Sequence, residues 1–77
     1  MPRTTRDLRR AQNAGAVIRV FSPDDEYHGK QVSYDPERPG DRTPWRLVRG
    51  EARFPAAECR AEGRNGGPWA VASLLRF

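Results

Sequence analysis

The stretch Ala16-Val17-Ile18-Arg19-Val20-Phe21 decides how this chain is read. Ile18 and Val20 fall on one side of an extended backbone and Arg19 stands between them on the other. The period is therefore two, the period of a β-strand. Ser22-Pro23-Asp24-Asp25 stops the run with turn residues. The same alternation then returns in short pieces. Tyr27 through Tyr34 predicts a second strand, with Val32 and Tyr34 on one face and Gln31 and Ser33 on the other. Trp45-Arg46-Leu47-Val48 predicts a third, with Trp45 and Leu47 inward. Arg49-Gly50 turns the chain into Glu51-Ala52-Arg53-Phe54, where Ala52 and Phe54 share a face. Pro55-Ala56-Ala57-Glu58 reads as one tight helical turn, and Cys59 to Glu62 as a short strand at best.

The links between these runs are rich in turn formers. Pro36, Pro39 and Pro44 fall in one segment and exclude a helix or a central strand there. Gly63-Arg64-Asn65-Gly66-Gly67-Pro68 carries an Asn-Gly hairpin signal. The tail from Trp69 to Phe77 has two readings. As a strand it lines up Trp69, Val71, Leu75 and Phe77, whereas Pro68 and the Leu74-Leu75 pair would also begin a helix. The Trp, Val and Phe of this segment predict a strand.

Residues 1–15 stand apart from this pattern. Thr4 or Thr5 can cap a short helix running to Asn13, with Gly15 as its stop. Only Leu8 and Ala11 would form its apolar face. That is expected to bury too little to hold a short helix in place. The division expected is a basic N-terminal arm over 1–15 and a domain over 16–77.

A chain of 77 residues and 8.7 kDa holds one domain. Short strands, turn-rich links and a single helical turn predict an all-β fold, a small five- to six-stranded barrel whose closure protects its edges. Its expected core is Ile18, Val20, Val32, Tyr34, Trp45, Leu47, Phe54, Cys59, Trp69, Val71 and Leu75.

The run Gly15-Ala16-Val17-Ile18-Arg19-Val20, followed by Tyr27-His28-Gly29-Lys30-Gln31-Val32, resembles the start of a Src-homology-3-like barrel of the KOW type. There a V-x-V strand leads through a loop to a Gly-Lys opening the second strand. Trp45-Arg46-Leu47-Val48, Glu51-Ala52-Arg53-Phe54 and Pro55-Ala56-Ala57-Glu58-Cys59 are similar to that barrel's third and fourth strands, its single 3₁₀ turn and the entry to its last strand. The likeness covers residues 15–62. The KOW pattern has a second Gly three residues after the first, where this chain has Val32. The resemblance implies a barrel fold, and such barrels serve several functions.

The inventory of reactive side chains argues against an enzyme. There is one His, His28, and one Cys, Cys59, too few for a nucleophile set or a zinc site within the chain. A single Cys makes no internal disulfide. Asp24-Asp25-Glu26 lacks the alternating oxygen ligands of a calcium loop and reads as a solvated turn. No metal and no cofactor is expected. No apolar run approaches the length of a membrane span, and no signal-peptide core follows the basic start, so a cytoplasmic protein without a membrane partner is expected.

The formal net charge is +4, and 14 residues are Lys or Arg, Lys30 being the only Lys. The charge is segregated: basic over 1–10, acidic over 21–41 and basic again over 42–60. Arg19, Arg46, Arg49, Arg53 and Arg60 alternate with the inward residues and so could share one basic face. Together with Arg3, Arg6, Arg9 and Arg10 of the arm they would follow a phosphate backbone, with Tyr27 and Trp69 as stacking surfaces. The neutral alternative pairs these Arg with Asp35, Glu37, Glu51 and Glu58, each pair contributing little. The function expected is a binding module for DNA or RNA. The alternative is a protein-interaction module docking on a larger protein as accessory subunit or inhibitor. A homodimer through the final strand is a further possibility.

Overall fold

The computed structural model describes residues 4–63. An α-helix, α1 (Thr5–Asn13), precedes β1 (Val17–Val20), β2 (Gln31–Tyr34), β3 (Trp45–Leu47) and β4 (Arg53–Phe54). A single 3₁₀ turn (Ala56–Glu58) then leads into β5 (Cys59–Glu62). The strands form one sheet in the order β4-β3-β2-β1-β5, and every pairing is antiparallel. Thus β1 to β4 meander, and β5 returns to the far side of β1. The result is an antiparallel half-barrel with one short helix, consistent with a small β-barrel.

The alternation read from the sequence sets the two faces. The registers Ile18 with Val32, Val32 with Leu47, Tyr34 with Trp45 and Trp45 with Phe54 keep the apolar residues on one side. Trp45 and Val32 are fully buried and Ile18 and Val20 nearly so, with Phe54, Cys59 and Ala61 beside them. Tyr34 and Leu47, expected inside, are half-buried and pack against this core. Expected core residues Trp69, Val71 and Leu75, and the final strand with the dimer contact assigned to it, lie outside the described residues.

Strands β1 to β4 are all shorter than the sequence suggests: β1 lacks Ala16 and Phe21, β3 lacks Val48, and the other two lose their first residues. The second strand begins at Gln31, not Tyr27. Residues 22–30 form successive turns instead, closed by Asp25 N–H to Ser22 C=O, His28 N–H to Asp25 C=O and Lys30 N–H to Tyr27 C=O. The Asp25 side chain accepts from Tyr27 N–H at 2.8 Å, and Gly29 takes φ +84°, a conformation that stops extended pairing. The fourth strand likewise contains only Arg53–Phe54 of the expected 51–54.

The larger correction concerns α1. It is a docked helix, and its Leu8 and Ala11 are fully buried members of the core. The helix packs against β1 and β5. Thr4 is the cap, its Oγ1 accepting from Asp7 N–H at 3.1 Å. The far end closes as a Schellman motif: Gly15, at φ 104°, donates to Gln12 C=O, and Ala16 donates to Ala11 C=O. Each end thus supplies partners for backbone groups that the helix alone leaves bare. Gln12 Nε2 adds a bond to Ser33 Oγ of β2 at 3.0 Å. Leu8 and Ala11 supply the helix's fully buried contacts, and the small Ala16 and Ala61 are buried in the same core.

Candidate functional site

The second face of the sheet carries Arg19, Gln31, Ser33, Arg46, Arg53 and Arg60. The register sets Arg46 opposite Arg53, and Arg19 opposite Arg60. Like charges directly opposite one another are destabilising unless other contacts offset the repulsion, and here acids do so for Arg19, Arg46 and Arg53 and an aromatic ring for Arg60. Arg53 is the hub. Its Nε donates to Thr43 C=O at 3.0 Å, and its Nη2 donates to Asp35 C=O and, at 3.3 Å, to Asp41 Oδ2. Its Nη1 lies 3.7 Å from the Asp35 carboxylate and 3.9 Å from that of Glu37. Arg46 shares Asp35, at 3.0 Å.

Arg53 therefore ties the proline-rich loop 35–44 to the sheet. Its side chain is only 18% exposed and that of Asp41 11%, so this pair is less screened than an ordinary surface pair. Asp41 is held below the usual carboxylate value, chiefly by Thr43 N–H, then by Glu37 N–H and the Arg53 guanidinium. Those bonds are stabilising while Asp41 is ionised, and they weaken as pH falls through its lowered pKa.

On the other half of the face, Arg19 Nε pairs with Glu62 at 3.1 Å, and its Nη1 donates to Gly29 C=O at 2.9 Å. Arg60 lies flat over the Phe21 ring, 3.4 Å from Cζ to centroid, and His28 meets the edge of the same ring at 5.2 Å. His28 Nδ1 accepts from Ser22 N–H. The expected basic face is thus largely neutralised within the molecule. Two of the acids expected to do this, Asp35 and Glu37, take part. Glu51 and Glu58 make no ion pair among the described residues, and Asp41 and Glu62 act in their place.

The helix is different. Arg6, Arg9, Arg10 and Asn13 follow the spacing i, i+3, i+4, i+7 on the side turned away from Leu8 and Ala11. With Thr5 they line one shallow depression. None of the three Arg makes an ion pair among the described residues. Arg9 stacks over the Tyr34 ring at 4.2 Å. Stacking holds the flat face of its guanidinium and leaves the in-plane N–H groups free.

Arg49 belongs to neither group. It lies in the turn after β3, beside Tyr27, Lys30, Leu47 and Val48. Tyr27 is half-buried, its ring in edge contact with Phe54 at 5.5 Å, and so is part wall rather than a free stacking plate. Arg3 and Trp69 lie outside the described residues.

Cys59 is 3% exposed on β5. Burial, with a smaller contribution from Glu58, pushes its thiol from the usual 9.0 up to about 12. The unfolded chain releases that proton near the usual value, while the folded chain keeps it. Stability is therefore whole below pH 9 and declines as pH rises from there toward 12. A thiol reagent at pH 8 is expected to label Cys59 only after denaturant is added. Immediate labelling of the native protein would place this strand outside the core. Compared with family models, curated proteins and solved structures, the chain matches none of them.

Proposed function

We propose that this protein is a non-enzymatic nucleic-acid-binding module whose phosphate-gripping element is α1. One observation carries the reading: the docked helix turns Arg6, Arg9 and Arg10 outward with no acidic partner among the described residues, while the sheet Arg are engaged internally. Arg3 precedes the helix in sequence and adds to the same end of the chain. Phosphate oxygens suit these groups, because guanidinium N–H groups bind them in bidentate fashion and release counterions from the backbone. Few base-reading groups accompany them, so sequence preference is weak. Within this reading the half-barrel is a Src-homology-3-like scaffold, supported by the return of β5 to β1 after one 3₁₀ turn.

Fluorescence anisotropy with a labelled oligonucleotide across a salt series tests this. Three phosphate contacts predict a slope of log K against log salt of about −2 to −3, set by roughly 0.7–0.9 per contact. Replacing Arg6, Arg9 and Arg10 together by Gln should flatten it to near zero, while Arg46→Gln should leave it unchanged. Equal loss in both variants, or no binding at low salt, overturns the proposal.

A further inference from the structure

Beyond the helix and the Arg-bearing face, one surface has no internal role. Tyr27, Leu47 and Val48 form an apolar floor, and Lys30, Gln31 and Arg49 its rim, around a shallow pocket of about 470 Å³. Val48 is 53% exposed, one of two large hydrophobic residues so placed among those described. The other, Phe21, is covered by Arg60 and met at its edge by His28. Val48 has no such cover among the described residues.

The floor is fixed. Val48 N–H donates to Gln31 C=O at 3.0 Å, Lys30 N–H to Tyr27 C=O at 2.9 Å, and the Tyr27 ring rests against Phe54. The rim carries two cations and the neutral Gln31. Neither Lys30 nor Arg49 has an acid within ion-pair distance among the described residues.

We infer that this pocket is a docking site for a segment of a partner protein that carries an apolar side chain flanked by carboxylates. An apolar side chain displaces water from Leu47 and Val48, which a phosphate chain cannot do. Carboxylates then meet Lys30 and Arg49 at the rim, where charge sets specificity and speed of encounter. Two unpaired cations beside an apolar floor fit that occupant and disfavour a basic one. The site shares no residue with α1, so it stands or falls independently of nucleic-acid binding.

The test uses the full chain and a short fluorescein-labelled peptide that alternates Leu with Glu. Binding is expected, with counterparts carrying Gln or Lys in place of Glu weaker by about tenfold or more. Val48→Asp and Arg49→Glu should each weaken the Leu-Glu peptide by about tenfold, as changes at an interface centre and its charged rim do. Lys30→Glu gives an independent variant, and a melting curve for each of the three checks that it remains folded. Amide shifts on titration should cluster at Lys30, Val48 and Arg49, and Arg6→Gln should change nothing. Three results would overturn the inference: a Lys peptide binding as well as the Glu peptide, folded rim variants that retain affinity, or displacement of the peptide by a single-stranded oligonucleotide.

Discussion

Trp45→Ala is expected to lose about 3–5 kcal/mol of stability, the cost of removing a large aromatic from a packed core. Trp45 is fully buried and the largest such side chain described. It stands opposite Tyr34 on one side and Phe54 on the other, and its ring meets Tyr34 edge-on at 5.6 Å. Truncation therefore opens a void at the centre of three strands. A chain of this size holds only about 4–12 kcal/mol in total. The melting temperature should fall by roughly 12–40 °C. Trp45→Phe supplies the control. Trp45 Nε1 has no hydrogen-bond partner among the described residues, so Phe removes volume but no bond within that set, and its cost should be well below that of Ala. Calorimetry or thermal circular dichroism measures both. An Ala variant melting within a few degrees of the parent would show that the core is not organised around this ring.

Leu8→Ala has the second largest expected effect, about 2–5 kcal/mol for emptying a fully buried leucine site. The loss has a second consequence. A nine-residue helix is marginal by itself in water, and Ala11 alone cannot dock it. Helical circular dichroism should fall with stability, and affinity for an oligonucleotide should fall with both, because Arg6, Arg9 and Arg10 lose their common platform. Gln at those three positions should do the opposite: binding is lost while melting falls by only a few degrees, through loss of the Arg9–Tyr34 stack. If Leu8→Ala keeps full affinity, the Arg act as a loose tail and the helix is incidental. Peptide binding gives a further control, since no residue of α1 lines the pocket proposed for it.

The strands are readable because their apolar residues recur at i and i+2 between runs of turn residues. Ile18 and Val20, Val32 and Tyr34, and Trp45 and Leu47 each define a face without outside help. Residues 27–30 differ because Tyr27 is a strand-favouring residue beside the run, while the Asp25 side chain and the positive φ of Gly29 fold the backbone into turns. The docking of α1 was hidden for a different reason. Two apolar residues look insufficient until the surface beneath is known to be small and close, and Ala61 on β5 reveals that only in three dimensions. The candidate site divides similarly. Outward Arg positions follow from alternation, but their neutralisation does not. Asp41 reaches Arg53 across a folded loop, and Glu62 reaches Arg19 across a strand pair. Neither pairing has a signature in local sequence.

The placement of β1 between β2 and β5 also determines how the chain assembles. Ile18 meets Val32 across a short span of chain but meets Ala61 across most of the described residues. The meander from β1 to β4 forms by a series of short closures, each with little loss of chain freedom. The β1–β5 seam needs those closures in place before its long-range contacts return anything. As the strand pairing with the largest sequence separation, it is expected to set the pace of refolding. The helix spans it, touching both strands, so docking α1 acts as a latch on the slowest step.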